Sequence, residues 1–393
     1  MATGTTLTTD LNPDLVVGED DKAHWNLPDN RRWGFHNLYR LTRYSLGIRA
    51  PHVLPLSKAI DERIGDMPEV RRYTGTTYFS AMAVVRKQSV LFETYAPDFG
   101  PDRPHSMQSV GKTAASLILG RLVEDGRVEL DRKVAHYLPE ISTGYAEATV
   151  QQVLDMDVVN NFDEGYDAPY SADPLRGAPV GYNNEEIAMG WRLPPAGQSE
   201  FGCRALAAAL VSDDVVNPTG ETRYASPNTD VLGWIAERAS GRCLRELLVE
   251  IVEAAGIAGV YHVGTDCEGV PQIAGGVCMT ARDLARYGLL FARLGMGVHG
   301  EAVGSAKFIH ETRSGRGTRL PEPSGWLRYS NHTTTDGRWL GHGGYGGQYL
   351  LADPDTGTVV AFFSVLEDRH AYTEDYLPGV VRMAEDIIRL YDT

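Results

Sequence analysis

Residues 109–124 read SVGKTAASLILGRLVE and are followed by Asp125-Gly126. Apolar and small residues run almost without interruption behind Lys112, the pattern of a helix buried all round and closed by a glycine. The first four residues are the one serine–x–x–lysine of the chain. Positions three apart share a helical face, about one turn from each other. The pair therefore places an amine where it can take the hydroxyl proton of a serine, which activates a nucleophile without histidine. A lysine at the start of a buried helix loses hydration, and this lowers its pKa and frees it to act as a base. Moving it from about 10.4 to near 7 requires about 4–5 kcal/mol of destabilisation of the charged form, to which helix N-terminal dipoles contribute. The plain structural alternative is a serine cap with a lysine snorkelling to solvent. The apolar stretch behind Lys112 argues against it.

Upstream, residues 78–86 (YFSAMAVVR) and 89–94 (SVLFET) have strand character and are joined by a hairpin at Arg86-Lys87-Gln88-Ser89. Residues 55–67 have helical spacing. Residues 1–50 are polar with Trp25, Trp33, Phe35 and Tyr39 interspersed, and read as an extended arm packed on the body by its aromatics. Downstream, residues 127–310 are mainly helical, for example 149–156, 204–212, 228–239 and 280–294. Within them, residues 157–200 are rich in Pro, Gly, Asn and Asp without clear periodicity, the mark of a long functional loop region. Strands return at 347–352 (GQYLLA) and 358–365 (TVVAFFSV) around the turn Asp353-Pro354-Asp355-Thr356-Gly357, and a last helix covers about 373–391. Strands at both ends with helices between imply an α/β (α+β) fold, with one sheet built from both termini and a helical insertion. The expected division is an arm at 1–50, an α/β subdomain from 51–112 and 311–393, and a mainly helical subdomain at 113–310, with the active site between the two. No internal repeat is present.

Composition narrows the function. The chain has 393 residues, 42% hydrophobic and 23% charged, with a formal net charge of −15. Such an acidic surface disfavours nucleic acid and anionic membranes. Cys203, Cys243, Cys267 and Cys278 are scattered without CxxC or Cys/His spacing, so they read as reduced, mostly buried thiols, and no metal site is expected. The N-terminus lacks a basic segment followed by an apolar one, and no run of eighteen apolar residues occurs. A cytoplasmic protein is expected, acting on a small molecule without cofactor, nucleic acid or membrane; a homodimer is left open.

Two further stretches carry chemistry. Tyr224-Ala225-Ser226-Pro227-Asn228 precedes a helix and can aim a phenol into a cleft; alone it also reads as a buried tyrosine followed by a helix cap. Gly341-His342-Gly343-Gly344-Tyr345-Gly346-Gly347 holds five glycines in seven positions before a strand, which lets a substrate approach the backbone edge. By itself it is equally a glycine-rich turn with a surface histidine.

In the order SxxK, YxS, HxG, these elements resemble the penicillin-recognising serine hydrolases: class C β-lactamases, D,D-carboxypeptidases and their esterase relatives. The resemblance covers about residues 75–390 and implies a β-lactamase-like fold. Within that superfamily the branch of 6-aminohexanoate-dimer hydrolases is resembled in HSMQSVGK (105–112), Val153-Leu154-Asp155-Met156, Gly190-Trp191-Arg192, YASPNTDVLGWIAERASG (224–241), GGVCMTARDLARYG (275–288) and GGQYLLADPDTG (346–357). The resemblance implies Ser109 as acylated nucleophile, Lys112 as its proton acceptor and Tyr224 as proton shuttle to the leaving group. It implies an oxyanion hole from the backbone N–H groups of Ser109 and Tyr345, each donor typically worth about 2.7–4 kcal/mol. Substrate binding falls to Ser226, His342, Gly344 and Tyr166, a loop tyrosine that closes over substrate in that branch. His342 stands where β-lactamases carry the lysine of KTG.

Departures bear on the substrate. Ala274 replaces an asparagine of that branch, which suggests a different or less polar acyl substrate. The loop 168–188 differs in length and content, so no acidic residue for an amine end can be placed there. His24, His36, His52, His105 and His136 lack partners at metal or triad spacing and read as structural or surface residues. The absence of GxSxG argues against an α/β-hydrolase. The expected activity is therefore an amidase or carboxylesterase working through an acyl-enzyme. The alternatives are an acyltransferase with the same residues, a β-lactamase or D,D-peptidase, and a non-catalytic binding module.

Overall fold

The computed structural model describes residues 25–165, 180–195, 197–368 and 375–392. Strand Phe79–Arg86 is buried over its first seven positions, as its unbroken apolar run requires of a strand covered on both faces. It folds back through Lys87 (φ 57°) onto Ser89–Tyr95. Its other edge pairs with Thr358–Ser364 through Ala83↔Ala361 and their neighbours, so the two ends of the sequence meet in one sheet. That sheet has nine strands in the order Thr318–Arg319, Arg328–Ser330, Thr333–Thr335, Leu340–Gly344, Gln348–Asp353, Thr358–Ser364, Phe79–Arg86, Ser89–Tyr95 and Ser57–Lys58. All neighbours are antiparallel except the last pair.

Helices cover both faces. Successive strand residues point to opposite sides, and Leu350 and Val359 share the side on which helix Ala281–Ala292 lies. Gly288 makes that contact close: a Cβ there would lie 2.5 Å from a Val359 methyl. On the opposite side Gly343 meets Leu377, and Trp339 donates to Glu385 of helix Tyr376–Arg389 at 3.3 Å. The expected terminal-strand sheet with flanking helices and a helical insertion is therefore the observed fold, of β-lactamase type.

The remaining helices gather around Thr113–Glu124, whose residues 113–120 are all buried. Pro227–Ser240, Leu244–Ala255 and Ala306–Arg313 pack against it. Among the described residues, no helix is long and apolar enough to cross a membrane.

Three local expectations differ from the structure. The described part of the 1–50 arm is not extended: Pro28–Leu41 is a helix, started by a proline in its first turn, with Phe35, Leu38 and Leu41 in the core. Trp33 is left exposed. Residues 55–67 split into the strand Ser57–Lys58 and the helix Glu62–Asp66, which is capped by Asp61. The region 127–310 also holds strands. Tyr261–Thr265 and Val277–Met279 form a second, four-stranded sheet with Tyr44–Ile48 and His105–Ser106. Val277–Met279 is buried throughout and Tyr261–Thr265 at all but one position, so neither shows an alternation that periodicity could reveal.

Candidate active site

The second sheet ends at Ser106, and the chain turns sharply there. Met107 N–H donates to Val277 O at 2.8 Å. Gln108 then adopts φ +49°, a left-handed conformation that costs a non-glycine residue about 1 kcal/mol or more. Its side-chain amide, bonded to Ser106 Oγ at 2.8 Å, holds it there. The turn leaves Ser109 half-exposed between buried neighbours. Residues Gln108–Lys112 form a 3₁₀ turn, and the α-helix begins only at Thr113. This corrects the expected single helix from Ser109, and it favours the pair, because residues i and i+3 eclipse in a 3₁₀ turn.

Lys112 is completely buried, with Nζ 3.2 Å from Ser109 Oγ, 3.0 Å from Ser226 Oγ and 2.5 Å from the carbonyl oxygen of Ala274. Gly111 permits the last contact, since a Cβ there would lie 2.7 Å from Ile273 O. Burial holds the Lys112 amine below its ordinary pKa, against the opposing pull of Glu164, Glu185 and Asp230. Ser226 is tied down in turn: its hydroxyl donates to Glu164 Oε1 at 2.6 Å and its N–H to Oε2 at 2.7 Å.

Tyr224 stands beside this pair, its ring centroid 5.3 Å from Lys112 Nζ. Burial, and next the negative charge of Glu164, push its phenol well above the ordinary value, and its buried hydroxyl makes no hydrogen bond among the described residues. Of the two candidate bases, the amine is made easier to deprotonate and the phenol harder. Tyr329 packs edge-on to Tyr224 at 5.8 Å and bonds His342 Nε2 through its hydroxyl at 3.0 Å. His342 Nδ1 lies 2.5 Å from Gly343 O. A carbonyl only accepts, so Nδ1 carries the proton and Nε2 accepts from Tyr329. Burial, reinforced by Lys112, lowers His342 to about 3 and keeps it neutral.

These groups open on a cleft of about 430 Å³ lined by Ser109, Glu164, Tyr224, His342 and Gly344, with Leu320, Leu327, Leu366, Leu377 and Val381 as apolar wall. Among the described residues, no lysine or arginine lines it. Gly344 sets its geometry, because a Cβ there would lie 2.6 Å from Met107 O. The bare backbone lets strand Leu340–Gly344 approach the Ser109 turn, so Ser109 and Tyr345 line the same cleft.

Behind Lys112, Glu185, Asp230 and Cys203 place a carboxylate oxygen each and a sulfur within 4.8 Å of one another, all buried. Among the described residues, both Glu185 oxygens and Asp230 Oδ2 find no donor apart from a proton held between the two carboxyls themselves. Two carboxyls so close cannot both ionise without donors. Burial and the neighbouring carboxylates raise Glu185 well above its ordinary value, and burial raises Asp230 to about 7. Cys203 donates its thiol to Gln272 Oε1 at 3.2 Å and is also raised by burial. These are the residues that could ligate a cation, but their chemistry is that of a group holding protons.

The structure brings Ser109, Lys112, Tyr224, His342, Gly344 and Tyr345 together around one cleft. Ser226 turns inward to Lys112 and Glu164, and does not line the cleft. Tyr166 and His24 lie outside the described residues, as does most of the 168–188 loop. Ala274 contributes its carbonyl, with its side chain buried. His36 and His105 share a bond to Ser80 in the core, and His52 and His136 are exposed. Cys203 and Cys278 are buried, whereas Cys243 and Cys267 are exposed. Sequence reasoning missed Gln108, Tyr329 and Glu164. The last had a signal, as an acid two residues before Tyr166 in a loop read as functional.

The beta-lactamase family model matches residues 79–377. The 6-aminohexanoate-dimer hydrolase of Paenarthrobacter ureafaciens is 28% identical over 373 residues, spanning 91% of each chain. Among solved structures, a Bacillus anthracis protein provisionally called a 6-aminohexanoate-dimer hydrolase superposes with TM-score 0.75 at 21% identity, over 94% of this chain and 96% of that one. A D-stereospecific amidohydrolase from Streptomyces superposes with TM-score 0.54 at 18% identity, over 75% and 91%. From the central strand Phe79–Arg86 to the start of the last helix, the matched stretch takes in the sheet, the Ser109 turn and the cleft, and the chain belongs to the beta-lactamase family of serine hydrolases.

Proposed function

We propose that this protein cleaves an amide or ester bond of a small molecule through an acyl-enzyme on Ser109. The observation that carries the reading is the buried Lys112 amine, depressed in pKa and 3.2 Å from a half-exposed serine hydroxyl. Ser109 Oγ attacks the carbonyl carbon while its proton passes to Lys112. The developing oxyanion lies against the N–H groups of Ser109 and Tyr345. As the tetrahedral intermediate collapses, Tyr224 gives its proton to the leaving nitrogen or oxygen and recovers one from Lys112. The strongly raised phenol suits a donor that must stay protonated at rest. Water then repeats the sequence in reverse and releases the acid.

The wall chemistry narrows the substrate. A carboxylate-bearing acyl group, as in a β-lactam or a peptide C-terminus, would meet neutral His342 and, among the described residues, no lining cation. An uncharged, largely apolar acyl group fits better, in keeping with the buried alanine at position 274. The same apolar wall favours an alcohol acceptor competing with water, so acyl transfer is the second reading. The protein is expected to work in the cytoplasm. Intact-mass measurement after quenching with p-nitrophenyl butyrate tests the proposal: the wild type gains one butyryl group on Ser109 and Ser109→Ala gains none. Full turnover by Ser109→Ala would falsify the mechanism.

A further inference from the structure

We propose that Glu164, acting through the Ser226 hydroxyl, orients the hydrogen bonds around Lys112 so that the lone pair of the amine is kept for Ser109. The inference rests on the acyl-serine reading above. A neutral amine has two N–H donors and one lone pair, and Lys112 Nζ has three oxygen neighbours: Ala274 O, Ser226 Oγ and Ser109 Oγ. The Ala274 carbonyl can only accept, which commits one N–H. The other two neighbours are hydroxyls, and each can donate or accept. Two arrangements therefore compete. In one, Ser109 donates into the lone pair and is ready to attack. In the other, Ser226 donates into it and Ser109 has no base.

Glu164 decides between them. The Ser226 backbone N–H can only donate, and it does so to Oε2 at 2.7 Å. Burial raises the Glu164 carboxyl, while Lys112 and the two Ser226 hydrogen bonds pull it down; once ionised, Oε1, 2.6 Å from Ser226 Oγ, accepts the hydrogen bond of the Ser226 hydroxyl. Ser226 Oγ is left as an acceptor for the second N–H of Lys112. The lone pair can face only Ser109. Glu164 is thus a positioning residue, acting three hydrogen bonds away from the serine it serves.

A purely electrostatic role has the opposite sign. The Glu164 charge favours the ammonium form of Lys112, so removing it would supply more free base. Lys112 is also faced by Glu185 and Asp230, by Tyr224, and by His332 and His342, both lowered to about 3 and neutral. Glu164→Gln leaves those groups alone and inverts the bonding. Its carbonyl must accept from the Ser226 N–H, its amide donates to Ser226 Oγ, and the Ser226 proton turns into the lone pair of Lys112.

The test is the rate at which a fluorophosphonate labels Ser109, followed by intact mass between pH 5 and 10 on folded, thermally characterised variants. On the high-pH plateau Glu164→Gln is expected to be slower than the wild type by about 100-fold, a loss in the range of a misplaced proton acceptor. Its ascending limb should move to lower pH. Ser226→Ala should cost only about 10-fold, because the lone pair then has no competitor. The double variant should label faster than Glu164→Gln alone. Glu164→Asp, which keeps a carboxylate, should retain at least about one-tenth of the wild-type rate, and it replaces Glu164→Gln as the test if that variant does not fold. A Glu164→Gln plateau within about 3-fold of wild type overturns the inference. So does a double variant no faster than Glu164→Gln, or an aspartate variant as slow as the glutamine one. Failure of the wild type to label Ser109 at all would instead overturn the acyl-serine reading.

Discussion

Replacing Asp230 by asparagine should make the protein more stable at alkaline than at acidic pH relative to the wild type. Asp230 has an ordinary pKa of 3.8 and is raised to about 7 by burial. Between those values the folded protein holds a proton that the unfolded chain has released. The unfolded state therefore binds fewer protons, and unfolding free energy falls as pH rises, by about 1.36 kcal/mol per unit. From pH 5 to the folded value lie about two units, so the wild type should lose about 2–3 kcal/mol relative to Asp230→Asn by pH 8. Asparagine has nearly the same shape and offers an N–H to Glu185. Asp155, raised by burial to about 6, is common to both proteins and cancels, whereas Glu185, raised in part by the Asp230 charge, is relieved in the variant and moves the gap in the same direction. Urea unfolding of both at pH 5 and pH 8 measures the quantity directly. A stability gap that stays constant within about 0.5 kcal/mol would show that the Glu185–Asp230 pair does not share a proton as argued.

Lys112→Ala should lower p-nitrophenyl ester hydrolysis by at least about 10³-fold, measured as kcat/KM with the fold checked by circular dichroism. Tyr224→Phe should slow anilide hydrolysis by about 100-fold and the activated ester by about 10-fold or less, since nitrophenolate leaves without a proton; equal losses would remove Tyr224 from leaving-group protonation. Gly344→Ala should cut kcat by about 10–100-fold by pushing the strand off the Ser109 turn, where its Cβ would sit 2.6 Å from Met107 O; an unchanged kcat would refute the close-approach argument. Ester hydrolysis should rise with pH through a midpoint below the ordinary lysine value of 10.5, because the active form is the deprotonated amine and burial lowers its pKa; a profile flat up to pH 10 would exclude Lys112 as the base.

Much of the site was legible because its chemistry is local in sequence. Ser109 and Lys112 are three residues apart, and any helical turn superposes them. The hairpin after Phe79–Arg86 and the strands around residues 353–357 announce themselves by apolar runs and turn residues. The partners of those residues were not legible. Ser226 lies 114 residues from Lys112 and Ala274 lies 162 away. Nothing in the local pattern says that the Ser226 hydroxyl will turn inward to the Lys112 amine. Glu164 stood in a loop read as functional, but its partner was hidden for the same reason, its bonds to Ser226 spanning 62 residues. The left-handed Gln108 was hidden too, since glutamine carries no signal for that conformation.

The sequence by itself carried the proposal of serine-hydrolase chemistry, through the residue types and order of Ser109, Lys112, Tyr224 and the His342 glycine stretch. It also determined the two-ended sheet, through apolar runs that only buried strands and helices accommodate. Only the tertiary structure decided the charge state and direction of that chemistry. A pKa depends on how much water packing removes and on which distant carboxylates and carbonyls it brings near. The hydrogen bonds that commit each proton of Lys112 run to residues that meet it only once the chain has folded.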